Sequence, residues 1–148
     1  IFQLIKDWPP MSVPEAVTGT TEELHEHLFG EAPAIFAHLA EAPEDAPHRL
    51  DGFALWFLNY SIWEGRHGTY LEDLYVRPET RGSGCGKALM QALAAHAVEH
   101  DHRRIEWSLL KWNTPSIGFY DSLGAVTMDD EWASYRLTGK ALEHLGGQ

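Results

Sequence analysis

Arg81-Gly82-Ser83-Gly84-Cys85-Gly86-Lys87 is the stretch from which the fold is read. An apolar segment precedes it and is ended by Pro78. Residues 87–100 follow, with Leu89, Leu93 and Ala97, and Ala92 and His96 beside them, forming one apolar face at helical spacing. Strand, glycine loop and helix in that order make an arrangement that binds phosphate. Closely spaced glycines let the backbone approach an anion, and N–H groups at the helix start point at it. Spacing separates the possible loops. A P-loop requires a glycine at position 81, where Arg81 stands, and a hydroxyl residue after Lys87, where Ala88 stands. A dinucleotide fingerprint begun at Gly82 or Gly84 requires a further glycine at position 87 or 89, occupied by Lys87 and Leu89. Both fail. What remains is Arg-x-x-Gly-x-Gly on Arg81, Gly84 and Gly86, with an ordinary glycine turn before a helix as the competing reading of the loop alone.

The rest of the chain bounds the answer. It has 148 residues, 44% hydrophobic and 22% charged, with 6 Trp, 5 Tyr and 6 Phe, which suits one folded domain over residues 1–148 and excludes a disordered chain. Eleven Lys+Arg against 22 Asp+Glu give a net charge of −11, the reverse of a nucleic-acid binder. Such a surface concentrates small cations, although it also serves plain solubility. No apolar run is long enough to span a membrane. Cys85 is the single cysteine, so a disulfide framework and a Cys-rich zinc site are excluded, and a reduced, cytoplasmic setting is expected. The chain opens at Ile1 without a methionine, and residues 1–10 do not read as a signal peptide, although a removed upstream segment stays possible.

Local signals predict loosely alternating strands and helices. Residues 1–7 read as the end of a helix stopped by Pro9-Pro10. Thr20 and Glu23 form a capping box opening a helix that ends near Gly30. Residues 34–40 lean toward strand, and residues 42–50 read as loop. Residues 52–60 and 69–76 form a hairpin about a turn at residues 64–68. Residues 104–111 read as strand. Asn113, with Pro115 early in the first turn, caps a helix that Gly124 ends. Residues 131–137 read as a last strand, and the tail ends in a polar Gly-Gly-Gln.

Tyr70-Leu71-Glu72-Asp73-Leu74-Tyr75-Val76, the glycine loop and Trp112-Asn113-Thr114-Pro115-Ser116-Ile117-Gly118-Phe119-Tyr120 together resemble the diamine (spermidine/spermine) acetyltransferase family of the GNAT superfamily. Phe29-Gly30-Glu31, Gly52-Phe53-Ala54 and Glu131-Trp132 fit as well, so the resemblance covers nearly the whole chain. It implies an α/β GNAT fold, a mixed, mostly antiparallel sheet flanked by helices, with the first strand missing before Ile1. It implies acetyl-CoA as co-substrate, no metal, a small-molecule amine as acceptor and a homodimer. Leu74, Tyr75 and Val76 would line the acetyl and pantetheine arm, and Arg81, Gly82, Ser83, Gly84, Cys85, Gly86 and Lys87 would hold the pyrophosphate. Asn113 and Ser116 would contact the cofactor arm. Tyr120 would protonate the departing thiolate. Glu72 would be the base, or would order the water that takes the proton. Glu72, Asp73, Trp63, Asp130 and Trp132 would face the amine.

The chemistry calls for such groups. An alkyl amine with pKa near ~10.4 is protonated at neutral pH, and freeing its lone pair costs roughly 4.6 kcal/mol. A nearby carboxylate receives that proton, directly or through water. Blander readings stand beside these. Glu72 and Asp73 would also suit a solvated pair, and Tyr120 could pack in a core. Cys85 lacks a neighbouring His, which argues against a nucleophile. His25 and His27 diverge on a helix, and His96 and His100 at i,i+4 are only a pair, so solvated or capping roles are expected for the histidines.

Departures from the family pattern refine the acceptor. Tyr60 is followed by Ser61, Ile62 and Trp63 where polyamine-specific members carry an aspartate, which resembles the thialysine N-epsilon-acetyltransferase branch. Pro9-Pro10-Met11-Ser12 likewise lacks an acidic residue, and Asp121-Ser122 stand where basic residues are expected for the nucleotide end of CoA. The alternatives are a protein amine or aminoglycoside as acceptor, or a non-catalytic acyl-CoA-binding module.

Overall fold

The computed structural model describes Ile1, Leu4, residues 18–128 and residues 133–147. The helix end expected at residues 1–7, and its Pro9-Pro10 stop, lie otherwise outside them. Two compact units emerge, Ile1–Ser108 and Leu109–Gln148. Among the described residues no helix is long and apolar enough to cross a membrane.

In the first unit, Thr20 acts as the expected cap. Its hydroxyl accepts the Glu23 N–H at 3.1 Å, and the Glu23 carboxylate accepts the Thr20 N–H at 2.8 Å. Helix α1 (Thr21–Phe29) follows and closes at Gly30. Strands β1 (Phe36–Glu41), β2 (Leu50–Ser61) and β3 (Arg66–Val76) form an antiparallel meander. The short β4 (Ile105–Glu106) joins β3 in parallel, giving a mixed four-stranded sheet in the order β1-β2-β3-β4. The hairpin turn shrinks to residues 62–65, because Arg66, His67 and Gly68 still pair with Ser61, Tyr60 and Asn59.

Helix α2 (Cys85–Glu99) starts two residues before the periodicity suggested, because Gly84 serves as its N-cap at φ 94°, a left-handed conformation that favours glycine. Its buried face is Leu89, Met90, Leu93 and Ala97. Met90 takes the place expected of Ala92, which is exposed. A separate core cluster packs Phe53, Leu55 and Tyr75 with Leu4, Leu28 and Leu50. Each large apolar side chain fully buried here contributes about 1.5–3 kcal/mol.

The strand expected over residues 104–111 is cut to two residues. Ile105 and Glu106 pair with Thr69 and Tyr70, just short of an extra residue in β3 at Glu72. A bulge bends its strand and raises the local twist, and the parallel ladder stops there.

The second unit holds α3 (Thr114–Ser122) and α4 (Gly139–Leu145). Asn113 caps α3, its side-chain oxygen accepting the Ser116 N–H at 3.4 Å, and Gly124 follows the helix at φ 85°. Residues 133–137 are exposed and unpaired among the described residues, so no strand forms over them. Alternation without a neighbouring edge does not make a strand. Helix α4 precedes the terminal Gly-Gly-Gln and was not expected, its signal, Leu142 and Leu145 one turn apart, being short.

Candidate active site

Strand β3 positions the first candidates. Leu55 of β2 pairs with Asp73 and Trp56 with Leu71, which leaves Glu72 as the unpaired extra residue, exposed to solvent. A bulge re-aims the side chain it carries. Asp73 next to it is part-buried, and its carboxyl is pushed above the usual carboxylate range by burial and then by the Glu72 charge.

The other edge of β3 is the structural feature of the site. Arg77 N–H donates to the Asp51 carbonyl at 2.8 Å. Hydrogen-bonded pairs alternate in an antiparallel ladder, so Tyr75 and Asp73 turn their backbone groups toward β2. Leu74 and Val76 therefore turn theirs outward. Since β4 pairs only Thr69 and Tyr70, no strand among the described residues pairs with Leu74 and Val76 on that outer edge. The Val76 carbonyl on that edge accepts the Arg81 Nε–H at 3.1 Å. The Tyr75 ring, by contrast, lies in the core, stacked on Phe53 at 5.9 Å.

From Val76 the chain passes a 3-10 turn (Pro78–Thr80) into Arg81, Gly82, Ser83 and Gly84, then into α2 at Cys85, Gly86 and Lys87. Gly82 at φ 81° and Gly84 at φ 94° let the loop coil before the helix. Among the described residues no side chain caps the first turn of α2, which leaves its leading amides free of a side-chain cap there. Those donors, the helix N-terminus and the Arg81 and Lys87 cations suit a diphosphate. Burial, and then the Asp51 charge, push the Cys85 thiol up, which keeps it a thiol rather than a nucleophile at neutral pH.

Other expected residues spread over the molecule. Trp63 stands 88% exposed at the hairpin tip. Ser61 is buried, and its hydroxyl accepts the Glu64 N–H at 3.2 Å, closing the turn. In the second unit Asn113 and Ser116 open α3, and Tyr120 sits near its end with its ring edge-on to Phe119 at 5.1 Å. Asp130 and Trp132 lie outside the described residues. A cleft of about 400 Å³ lined by Phe29, Phe36, His38, Trp56 and His96 contains none of the expected site residues.

An antiparallel meander whose third strand runs into a glycine loop and helix makes an α/β domain with a mixed four-stranded sheet. The Acetyltransferase (GNAT) family matches residues 2–125, and the chain belongs to that family: it has the GNAT fold and is an acetyl-transferring enzyme. It is 34% identical over 133 residues to thialysine N-epsilon-acetyltransferase from Bos taurus, spanning 86% of this chain and 78% of that protein. It is 35% identical over 125 residues to an L-ornithine N5-acetyltransferase from Arabidopsis thaliana, spanning 76% of this chain and 54% of that protein. Among solved structures, an integron cassette protein from V. cholerae superimposes with a TM-score of 0.74 at 26% identity, covering 91% of this chain and 82% of the other.

Proposed function

We propose that this chain moves acetyl from acetyl-CoA to the side-chain amine of a small lysine- or ornithine-like amino acid, by direct attack on the thioester. The observation that carries the reading is the open edge of β3 running into the uncapped start of α2. Leu74 and Val76 would offer that edge to the acetyl carbonyl and pantetheine arm as to an added strand. The amides of residues 82–87, with Arg81 and Lys87, would hold the diphosphate, and Asn113 and Ser116 would steady the arm. The amine's proton leaves to Glu72, directly or through water. Nitrogen then bonds the carbonyl carbon, the C–S bond breaks, Tyr120 donates its phenolic proton to the sulfur, and the nitrogen gives up its second proton, which restores the Tyr120 phenol through water. Asp73, Trp63, Asp130 and Trp132 would face the amine.

Ser61 in place of an aspartate favours an acceptor with its own carboxylate over a long polycation, and the thialysine and ornithine enzymes among the relatives support that choice. The same reading takes residues 1–148 as one catalytic domain that acts as a cytoplasmic homodimer, which sedimentation of the purified chain checks. The deciding experiment offers acetyl-CoA with thialysine, lysine, ornithine, putrescine, spermidine or a histone-tail peptide and follows thiol release. Fastest turnover is expected with thialysine or ornithine. Preference for spermidine refutes the Ser61 argument, and CoA binding without turnover of any amine refutes the enzyme reading.

A further inference from the structure

Five histidines gather where the end of α2 meets the sheet. His96 is the hub: its ring stacks on His100 at 4.0 Å and lies edge-on to His38 of β1 at 5.9 Å and to His102 of the α2–β4 connection at 5.8 Å. His102 also meets His100 at 5.9 Å and His67 of β3 at 6.3 Å. Trp56 of β2 packs 4.8 Å from His96 and 5.9 Å from His38. One strand pair would not need so many imidazoles.

Each of four rings also makes a hydrogen bond, and the one to His38 requires a bare ring nitrogen. Trp56 Nε1–H donates to His38 Nδ1 at 3.1 Å, so a proton on that nitrogen removes the acceptor. His100 Nδ1 donates to the His96 carbonyl at 2.9 Å, and His67 Nδ1 to the Asn59 carbonyl at 3.2 Å. His102 Nδ1 shares a bond of 2.9 Å with the hydroxyl of fully buried Thr69.

We propose that this cluster forms a proton-operated clasp: with His38, His96 and His102 neutral it holds the C-terminal end of α2 on the sheet, and charging those three rings in mild acid releases it. The surrounding charges set the limits. Glu99 attracts a proton to His96, and the carbonyl end of α2 favours one cation there. Asp101 attracts one to His102 but is already engaged by Arg66 at 3.0 Å and Arg103 at 3.3 Å. Glu106 of β4 is held by Arg104 at 2.7 Å and by Asn59. Further protons therefore meet imidazolium and guanidinium neighbours without spare carboxylates. Burial, and then the neighbouring imidazoles, push His38, His96 and His102 below the ordinary value. No three of His, Cys, Asp and Glu among the described residues stand where one metal ion could take them all, so the geometry favours protons.

The sign follows from linkage. These lowered values mean that the unfolded chain binds more protons below about pH 6.5, so the clasp contributes fully above that pH and is lost as pH falls toward the folded values. Proton NMR of the full chain should show the His38, His96 and His102 rings titrating below the ordinary value. Unfolding in urea near pH 6 should take up protons, and His96→Gln should reduce that uptake. Amides of residues 97–102 should exchange faster, relative to residues 89–93 and after correction for intrinsic rates, at pH 5.5 than at pH 7.5. Titration of His38, His96 and His102 at the ordinary value, or a constant exchange ratio, overturns the clasp. So does unchanged proton uptake in His96→Gln. The NMR and exchange measurements use the unaltered chain and decide the matter even if that variant does not fold.

Discussion

Glu72 occupies the one-residue excess of β3 over β2, so its carboxylate is aimed by the register rather than by its own rotamer alone. If it takes the amine's proton, Glu72→Gln lowers kcat/KM by about a hundredfold near neutrality. The deficit should narrow as the pH rises toward ~10.4, where the amine needs less help, and a pH–rate profile shows whether it does. Tyr120→Phe should lower kcat by at least about tenfold while leaving acetyl-CoA binding in place, as calorimetric titration can check. Asp73 bears on stability. Its raised carboxyl value means that folded Asp73 holds a proton more tightly than the unfolded chain does, so its contribution improves as pH falls through that value and is adverse at neutral pH. Asp73→Asn is therefore expected to raise Tm at pH 7, with the gain shrinking near pH 4. A lower Tm at pH 7 would mean that a partner rewards the charge. Residue identities on β3 were legible in the sequence. The bulge was not, because a register shift is decided by what β2 offers opposite. The histidine cluster escaped for a similar reason: spacing along one helix reveals His96 and His100, but His38, His67 and His102 arrive from other elements.

Elements whose start and stop signals are local came out close to expectation. Thr20 with Glu23, and Asn113 with Ser116, are complete within one turn, and both helices begin where those residues stand. Elements that depend on a neighbour did not. Strand β4 ends where β3 stops offering an edge it can follow, and residues 133–137 find no strand to join among the described residues. Helix α2 shows both halves. Its buried face followed from periodicity except for Met90, whereas its start was fixed by the backbone of Gly84. Giving that position a Cβ, as in Gly84→Ala, should cost about 1–2 kcal/mol and weaken CoA binding several-fold. Chemical denaturation and titration separate the two effects. Leu93, fully buried under the sheet, should cost about 2–5 kcal/mol as Leu93→Ala in the same denaturation series, with CoA affinity little changed.

For the molecule as a whole, the net charge of −11 predicts opposite salt responses for two kinds of ligand. Attraction of a cationic acceptor is screened by salt, so its kcat/KM should fall several-fold between ~0.02 and ~0.5 M, whereas the KM for anionic acetyl-CoA should hold or improve. Stopped-flow or steady-state rates across that range test the claim, and parallel responses would remove charge steering from the account. The vacant rim of β3 has a consequence of its own. Bare strand edges invite pairing with another molecule, and here the rim is also where CoA is proposed to lie. Stocks kept without CoA should gather into larger particles on standing, and added CoA should keep them dispersed, so the enzyme's co-substrate would double as its guard against sticking to itself.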